Sequence, residues 1–583
     1  MAVEADEAAP SIRVSRRRRR RGQLGLAGTI AMLGAAAAAL YLVLAPLVAL
    51  LFTAFRGPSD MLPFEPGAHW TFDNLVEVYV KTPLLSTVLP NTAIFVLGSV
   101  AVTFFTAFTL AWLIERTDLP WRTPIFTAVL FPLLVPGIVM AFAWTLLFAP
   151  NAGWVNVGLR ALLGLDSPGP INIFSMPGLI LCQGIASVPF VFLLLGAAMR
   201  TMNPALEEAS SASGARPITT FFRVTLPVLR PGVLAPLILA TLVALEQFEM
   251  PLIIGFPARI NVFATRLYFD LNPEDELPAY GKVAAAALLF LAAAVVLLMI
   301  YNHLIRRAER FVTVTGKGYR PTRYALGRWR LPALVFVGLY LAVGAILPAI
   351  VLVWTSFSGG SEEALNLDAY RSLFADRRFW PAVGNTFIVA GLSAGLITLI
   401  GALLAWQILR LRFPGRRLLD AVSFMSIGIP AVITGFAVMV LHLTIPIGLY
   451  GTVWVLVLAY SYRLAVSTRL SRASLMQIHS ELEEASAASG GRWLDTVRRV
   501  VLPLLGPSLL ASFLLLFIVG FREFTIPLIL QSDDNWVLSV IMWKLQADRQ
   551  TAQAAAVGTL ILLCVTPVIF ILRRHLLSSQ GES

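Results

Sequence analysis

The chain has 583 residues and a formal net charge of +12, and 57% of its residues are hydrophobic whereas only 13% are charged. Soluble globular domains average about 45–50% apolar and about 25% charged residues, so this composition excludes that class of protein. Apolar stretches of about 20 residues cross a bilayer as helices, and the sequence therefore predicts an all-α integral membrane protein.

The N-terminal segment, residues 1–26, is basic and precedes the first long apolar run. It contains an unbroken arginine run from Arg16 to Arg21. The apolar run that follows, at about 27–55, is too long for the core of a signal peptide, which has about 7–15 residues. We therefore expect it to be retained as the first membrane helix.

Twelve membrane spans can be marked along the chain, six in each half. They lie at about 27–55, 87–114, 124–148, 177–198, 232–254, 282–304, 331–356, 383–409, 419–442, 450–468, 508–530 and 552–572. This division predicts a first unit over 27–305, a basic linker over 306–330, a second unit over 331–573 and a short tail over 574–583. Prolines inside spans are compatible with bundled membrane helices, because neighbours satisfy the backbone groups that a proline leaves unpaired.

Lysine and arginine are distributed unequally between the two sides of the predicted membrane. If the N-terminus lies inside, the inside segments hold 33 of the 45 basic residues. Basic residues are enriched in cytoplasmic loops, so both termini are predicted to lie in the cytoplasm. The positive charge is then explained by topology, and no nucleic-acid partner is predicted.

The second half of the sequence repeats features of the first. A polar segment from Glu207 through Gly214 to Leu226-Pro227 recurs 276 residues later, from Glu483 through Gly490 to Leu502-Pro503. Other matching pairs are Asn91-Thr92 with Asn385-Thr386, Leu110-Ala111-Trp112 with Leu404-Ala405-Trp406, Val135-Pro136 with Ile429-Pro430, and Phe248 with Phe524. Each half has an even number of spans, so the halves should insert in the same orientation, related by an axis along the membrane normal with a pathway between them.

Each copy of the repeated segment predicts a short polar helix. The first starts near Asn203-Pro204, and the second starts at Ser480, with Glu483 completing a capping box. A glycine, Gly214 or Gly490, ends each helix. A helix of about ten residues is marginal by itself, so another surface must hold it. The small Ala and Ser side chains permit close approach, and the Glu pair offers charge to basic groups of a partner; two ordinary connector helices are the alternative.

This repeated segment resembles the EAA loop of the membrane subunits of binding-protein-dependent ABC importers of the type I fold. Both copies read Glu-Ala-Ser, three residues, Gly, nine residues and Val-x-Leu-Pro, with Ser210 and Ser486 where Ala is usual and Val224 and Val500 where Ile is common. The resemblance covers essentially the whole chain and implies two tandem six-helix repeats, each with a coupling helix that docks into an ATPase subunit. It assigns this coupling role to Glu207, Glu208, Ala209, Gly214, Leu226 and Pro227, and to Glu483, Glu484, Ala485, Gly490, Leu502 and Pro503.

The resemblance also implies partners, location and cargo. It implies two copies of an ABC ATPase subunit at the cytoplasmic face, a periplasmic substrate-binding protein at the outer face, and a place in the bacterial inner membrane. The fused double unit looks most like the permeases of ferric-iron importers, and permeases for thiamine, aminoethylphosphonate, polyamine or another small solute are alternatives. Gly281-Lys282 and Gly316-Lys317 lack the P-loop pattern, so ATP and magnesium are expected in the partner subunits. No cofactor, metal site or enzymatic activity is predicted for this chain.

Polar side chains interrupt the predicted fifth and eleventh spans. Glu246, Gln247 and Glu249 lie in the fifth, and Arg522 and Glu523 lie at the matching place in the eleventh. A charge at the centre of a membrane helix costs about 2.5–3.5 kcal/mol, and such groups usually face an interior cavity. We hypothesise that these side chains border the translocation path or its gate. The alternatives are a structural pair, for example Glu246 with Arg522, or a location near the outer interface.

Two further interpretations follow from charge. A secondary transporter of twelve spans, which needs no ATPase, is the competing class of function; it predicts proton-relay charges in the spans and no paired coupling helices, the reverse of what the sequence contains. Acidic residues in the predicted outer loops are candidates for contact with a binding protein, or belong to a solvated loop. These are Asp270, Glu274, Asp275, Glu276, Asp533, Asp534 and Asp548.

Overall fold

The computed structural model describes residues 25–200, 202, 205–273, 277–308, 323–358, 365–411 and 413–578. Several sequence predictions fall outside these residues: the arginine run 16–21, the first helix start at 203–204, the acidic residues 274–276, Gly316-Lys317, most of the linker and the end of the tail.

The described chain is almost entirely helical. Its α-helices, numbered in chain order, are α1 Gly25–Ala54, α2 Asp73–Val76, α3 Leu89–Arg116, α4 Arg122–Leu130, α5 Gly137–Phe148, α6 Trp154–Leu163, α7 Met176–Arg200, α8 Ala205–Ala212, α9 Pro217–Thr220, α10 Leu226–Glu246, α11 Phe263–Leu271, α12 Tyr280–Ala308, α13 Arg330–Leu341, α14 Leu347–Ser358, α15 Asp368–Ala375, α16 Phe379–Arg410, α17 Arg416–Met425, α18 Ala431–Thr444, α19 Val453–Tyr460, α20 Leu464–Gln477, α21 Ser480–Ala488, α22 Trp493–Thr496, α23 Leu502–Phe521, α24 Thr525–Ile529, α25 Leu538–Ala547 and α26 Thr551–Ser578.

Shorter irregular elements join these helices. Wide π-helical turns lie at Glu77–Lys81, Leu84–Val88, Phe221–Thr225, Pro251–Gly255, Ala342–Ile346 and Val497–Val501, and 3-10 turns lie at Phe131–Leu134, Phe256–Ala258, Gly327–Trp329 and Ser426–Gly428. Strands β1 (Arg56–Gly57) and β2 (His69–Trp70) pair antiparallel, with Arg56 opposite Trp70. This small hairpin directly follows α1.

The membrane-spanning pattern confirms the predicted fold class. Seven described helices are long and apolar enough to cross a membrane, and three bent helix pairs raise the number to as many as ten. The remaining two predicted spans coincide with α19–α20 and with α26. The span predicted over 450–468 differs from the expectation, because residues 461–463 separate α19 from α20.

Two of the bends occur at matching prolines. The chain turns by 102° between Leu134 and Gly137 and by 115° between Gly428 and Ala431. At each bend a proline in extended conformation, Pro136 or Pro430, precedes the next helix. Proline disfavours helical geometry in the residue before it and has no amide hydrogen to donate, so a helix ends and another begins at this position.

The chain forms two compact units, and each draws on both halves of the sequence. The first comprises Met1–Val48, Ile388–Ile427 and Val457–Phe521; the second comprises Ala49–Phe387, Gly428–Leu456 and Arg522–Ser583. In the first unit the Gln407 side-chain amide donates to the Met32 carbonyl at 3.0 Å, so α1 packs against α16. In the second unit the Trp144 indole donates to the Val343 carbonyl at 2.9 Å. The opening helix of each sequence half therefore packs against helices of the other half.

Candidate functional site

The first motif segment, residues 205–227, is fastened to the end of α3 by a buried ion pair. Arg116, the last residue of α3, binds the carboxylate of Glu207 in α8, and both side chains are only 1% exposed. The hydroxyl of Thr225 donates to the other Glu207 oxygen at 2.5 Å. The guanidinium of Arg116 also lies 5.8 Å from the centre of the Trp112 ring. A positive charge is favoured at the C-terminus of a helix, which helps to explain an arginine at this place.

The second motif segment, residues 480–503, repeats this fastening. Arg410 is the last residue of α16, and its Nε lies 2.8 Å from a carboxylate oxygen of Glu483 in α21. The same guanidinium donates to the carbonyls of Leu475 and Ile478, at 3.3 and 2.7 Å. Arg410 follows Arg116 by 294 residues, the same interval that separates Trp406 from Trp112. The side chains of Arg410 and Glu483 are 14% and 15% exposed. The two ion pairs, here called the anchors of the motif segments, therefore join equivalent residues but differ in burial.

These pairs divide the two glutamates of each motif between different roles. Glu207 and Glu483 point inward to an arginine of the same chain, whereas Glu208 and Glu484 are exposed. Within this chain, one glutamate of each copy is therefore held by an arginine and the other lies on the surface; the coupling role of both stays a prediction. The sequence did contain the signal, since Arg116 and Arg410 are a repeated pair, but they lie 91 and 73 residues from their glutamates.

The serines that depart from the usual family pattern also have a shared contact. Ser210 and Thr220 lie within hydrogen-bond distance at 2.9 Å, and Ser486 and Thr496 do so at 2.8 Å. Each bond ties the motif helix to the short helix that follows it. The glycines between these helices, Gly214 and Gly490, adopt φ values of +79° and +83°, which only glycine adopts without strain.

The Leu-Pro end of each motif begins the next long helix through a widened turn. Residues Phe221–Thr225 and Val497–Val501 are π-helical and lead directly into α10 and α23. Pro227 and Pro503 cannot donate to the carbonyl four residues earlier, and a wider turn accommodates that missing bond. The capping box predicted at Ser480 is wrong, because α21 starts after His479 and Glu483 binds Arg410 instead.

A second cluster forms where the fifth and eleventh spans break. Helix α10 ends at Glu246, and Gln247 is extended, with ψ 127°. Helix α23 ends at Phe521, and Arg522–Phe524 are not helical before α24 begins. The spans predicted as continuous over 232–254 and 508–530 are therefore interrupted at the polar residues themselves.

Backbone groups at helix ends lie beside the charges of this cluster. The Arg522 guanidinium donates to the carbonyl of Leu133, at the bend before α5. The Glu249 carboxylate lies directly against the Cα of Gly137, the first residue of α5, where a Cβ would collide with it. The backbone amide of Ile526 donates to a Glu523 carboxylate oxygen at 3.4 Å. Negative charge is favoured at helix N-termini, so Glu249 and Glu523 lie at the helix ends that stabilise them.

Two repeat-equivalent phenylalanines meet at the centre of this cluster. The rings of Phe248 and Phe524 stack with centroids 6.2 Å apart and planes 23° apart. Both side chains are almost completely buried, at 1% and 0% exposed. The two residues occupy the same position in the two halves, so their stack joins equivalent points of the repeat. Sequence comparison matched these residues but gave no sign that they touch.

Two of the described acidic loop residues, Asp270 and Asp548, form ion pairs with a basic residue four positions earlier. Asp270 lies 2.8 Å from Arg266, although burial raises the pKa of Asp270 above its usual value. Asp548 lies 3.5 Å from Lys544. Among the described residues, no group of three or more His, Cys, Asp or Glu side chains is arranged to hold a metal ion.

Comparison with known proteins gives matches along both halves. The sequence model of a family described as binding-protein-dependent transport system inner membrane component matches residues 107–310 and 397–579. A ferric transport system permease protein of Actinobacillus pleuropneumoniae is 25% identical over 487 residues, covering 82% of this chain and 70% of that protein. An Fe(3+)-transport system permease protein of Haemophilus influenzae is 24% identical over 505 residues, covering 85% and 90%. The crystal structure of a bacterial ABC transporter involved in the import of the acidic polysaccharide alginate superimposes with a TM-score of 0.35 at 18% identity, covering 43% of this chain and 96% of that chain.

Proposed function

The chain belongs to the family of binding-protein-dependent transport system inner membrane components and is the permease of an ABC importer. From this premise we propose that it transports ferric iron and that separate ATPase subunits drive this transport through its two motif segments. Each segment is proposed to dock on one of two separate ATPase subunits at the cytoplasmic face. A periplasmic binding protein is proposed to deliver the cargo at the outer face. Membership of this family also argues against the competing class, a secondary transporter that needs no ATPase.

The repeated internal anchor is the observation that supports the docking proposal. Arg116–Glu207 fixes α8 to α3, and Arg410–Glu483 fixes α21 to α16. A displacement that an ATPase imposes on either motif helix is then passed to the long helix that ends at the arginine. It also passes through the π-helical turn into α10 or α23, which lead to the broken centre.

The exposed face of each motif segment is the surface proposed for docking. Glu208, Ala209, Glu484 and Ala485 are exposed, and their small or acidic side chains permit close approach of a basic partner surface. A short helix of this kind is marginal alone, so the anchor beneath it and a partner above it both contribute to holding it. Gly214 and Gly490 then turn the chain away from the partner.

The broken centre is the part of the chain proposed to form the pathway and its gate. The Phe248–Phe524 stack joins the two helix breaks. The polar residues at these breaks are Glu246, Gln247, Glu249, Arg522 and Glu523. Broken membrane helices occur where backbone lines a cavity or is buried in protein. Neutralising Glu249 and Glu523 together should lower uptake while ATPase assembly stays intact, and unchanged uptake would refute this assignment.

The cargo is proposed from the relatives alone. Both compared permeases are ferric transporters by name, at 24–25% identity. Permeases for thiamine, aminoethylphosphonate, polyamine or another small solute stay open as alternatives, since selectivity in such importers lies largely in the binding protein.

Reconstitution tests the cargo directly. The permease and its ATPase are placed in lipid vesicles, and ATP hydrolysis and radioactive iron uptake are measured with iron-loaded and iron-free binding protein. Iron-loaded protein should stimulate both, and stimulation only by a binding protein loaded with another solute would refute the iron assignment.

A further inference from the structure

An aromatic residue from the linker covers the anchor of the first motif segment. The ring of Tyr324 stacks on Trp112 with centroids 5.9 Å apart and planes 16° apart. The Tyr324 amide donates to the Arg116 carbonyl at 2.8 Å, and the Asp118 amide donates to the Tyr324 carbonyl at 3.2 Å. Thr117 and Tyr324 form an isolated parallel bridge. The linker end is therefore docked beside the Arg116–Glu207 pair.

The matching surface of the second motif segment is an open cleft of about 70 Å³, here called the second-copy cleft. Its lining includes Trp406, Arg410, Leu411 and Glu483, which match Trp112, Arg116, Thr117 and Glu207, and it also includes Glu484 and Trp493. All of its lining residues belong to the stretches 406–411 and 480–501. The four residues that Tyr324 covers or adjoins in the first copy thus have counterparts that together line a cleft in the second.

The sequence repeat identifies the residues of the first half that are equivalent to the linker residue Tyr324. Tyr324 precedes the opening helices of the second half. Pro348 and Phe357 of those helices match Pro46 in α1 and Phe55 directly after α1, 302 residues earlier. At the same interval Tyr324 matches Gly22, and the residues immediately before Gly22 are Arg16 to Arg21. The counterpart of the docked Tyr324 is therefore Gly22, and the arginine run ends directly before it.

The arginine run is close enough to reach the second-copy cleft. Gln407, next to the cleft residue Trp406, donates to the carbonyl of Met32. Met32 lies seven residues beyond Gly25, about 10 Å along α1. Because α1 is an odd span and α16 an even one, the start of α1 and the end of α16 at Arg410 lie on the same side. Residues 16–24 can extend over about 30 Å, which is ample for the remaining distance.

The chemistry of the cleft suits arginine. A guanidinium stacks on indole faces and pairs with carboxylates, which a lysine does less well. The cleft offers the Trp406 ring, and the Glu483 carboxylate in its lining already binds one guanidinium, that of Arg410. We propose that the Arg16–Arg21 run, next to this counterpart of Tyr324, docks in the second-copy cleft and covers Trp406 as Tyr324 covers Trp112. This contact latches the second motif segment as the linker latches the first, and it holds whatever the cargo is.

Accessibility of a cysteine in the cleft tests the proposal. Cys182 and Cys564 are replaced by alanine, Ala487→Cys is introduced in the cleft lining, and full-length protein in inverted membrane vesicles is reacted with a membrane-impermeant maleimide. Replacing Arg16 to Arg21 by lysines keeps the charge that sets topology but removes the planar guanidinium groups. We expect this variant to label about two- to fivefold faster, the factor that corresponds to a cation–π contact at an exposed site.

A matched position in the first copy provides the control. Ser211→Cys corresponds to Ala487→Cys, and its labelling should respond to Tyr324→Ala but not to the arginine run. A bifunctional maleimide should also cross-link Arg19→Cys to Ala487→Cys and not to Ser211→Cys. Equal labelling of the arginine and lysine forms together with no cross-link would overturn the proposal. Protection that requires the ATPase subunit and not the arginines would also overturn it, by identifying the ATPase as the occupant.

Discussion

The buried Arg116–Glu207 pair allows a quantitative prediction about the first motif segment. The change is Glu207→Gln, which keeps the shape of the side chain and removes its charge. Arg116 would then be a buried cation, 1% exposed, without a counter-charge. Removing one partner of a buried ion pair costs about 3–5 kcal/mol, so we expect a lower unfolding temperature and loss of transport.

The second copy supplies the matched comparison. Arg410 keeps two backbone carbonyl acceptors, on Leu475 and Ile478, when Glu483 loses its charge. Glu483→Gln therefore removes one charged hydrogen bond in a partly exposed setting, worth about 1.5–3 kcal/mol. Glu208→Gln changes an exposed side chain, for which a substitution normally stays within about 0.5 kcal/mol.

Thermal unfolding of the purified protein in detergent, followed by thiol-reactive dye, measures this series. The expected order of destabilisation is Glu207→Gln, then Glu483→Gln, then Glu208→Gln. The double variant Arg116→Met, Glu207→Met should recover much of the stability, because apolar residues of similar volume often replace a buried ion pair at little cost. If Glu207→Gln and Glu208→Gln unfold at the same temperature, the anchor does not hold the motif helix and the reasoning is refuted.

Three further predictions concern the exposed motif face, the broken centre and a loop pair. Glu208→Arg should leave the unfolding temperature unchanged and lower ATPase binding in a pull-down, since this side chain is exposed; unchanged binding would contradict the docking face. Gly137→Ala places a methyl group against the Glu249 carboxylate and should cost about 1–3 kcal/mol of stability and reduce uptake. Gly158→Ala meets nothing within 4 Å and is the control, which should lower neither stability nor uptake. The hydrogen bond from Arg378 holds the pKa of Asp376 below its usual value, so the stability that this pair contributes is present above the usual pKa and is lost as pH falls through the lowered pKa. The difference in unfolding temperature between the native protein and Asp376→Asn should therefore close on acidification. A difference that does not change with pH would exclude the pair as its cause.

The sequence predicted the parts of the motif segments that depend on local chemistry. Gly214 and Gly490 end their helices as predicted, and both have the positive φ that glycine adopts readily after the last turn of a helix. The anchors were not predicted, because the partner of Glu207 lies 91 residues away and chain periodicity carries no information about it. The sequence does contain one signal for the anchors: Arg116 and Arg410 occupy equivalent positions at span ends in the two halves.

The membrane region was predicted in outline and differs in its breaks and packing. Pro136 and Pro430 were visible as a matched pair, but bends of 102° and 115° depend on the helices that pack around them. The breaks at Gln247 and at Arg522–Phe524 leave backbone groups that need partners, and tertiary neighbours supply them. Likewise, nothing local in α1 indicates that Met32 meets Gln407 of the other half.

The central claim is that one polypeptide presents two docking segments to two ATPase subunits, and the number of ATPase subunits bound tests it most directly. Ala209→Arg and Ala485→Arg place a bulky cation on the exposed face of each motif helix without touching its anchor. Native mass spectrometry of the purified complex should show two ATPase subunits on the unmodified chain, weaker binding to each single variant and none on the double variant. Two ATPase subunits retained by the double variant, or a single one on the unmodified chain, would contradict the account.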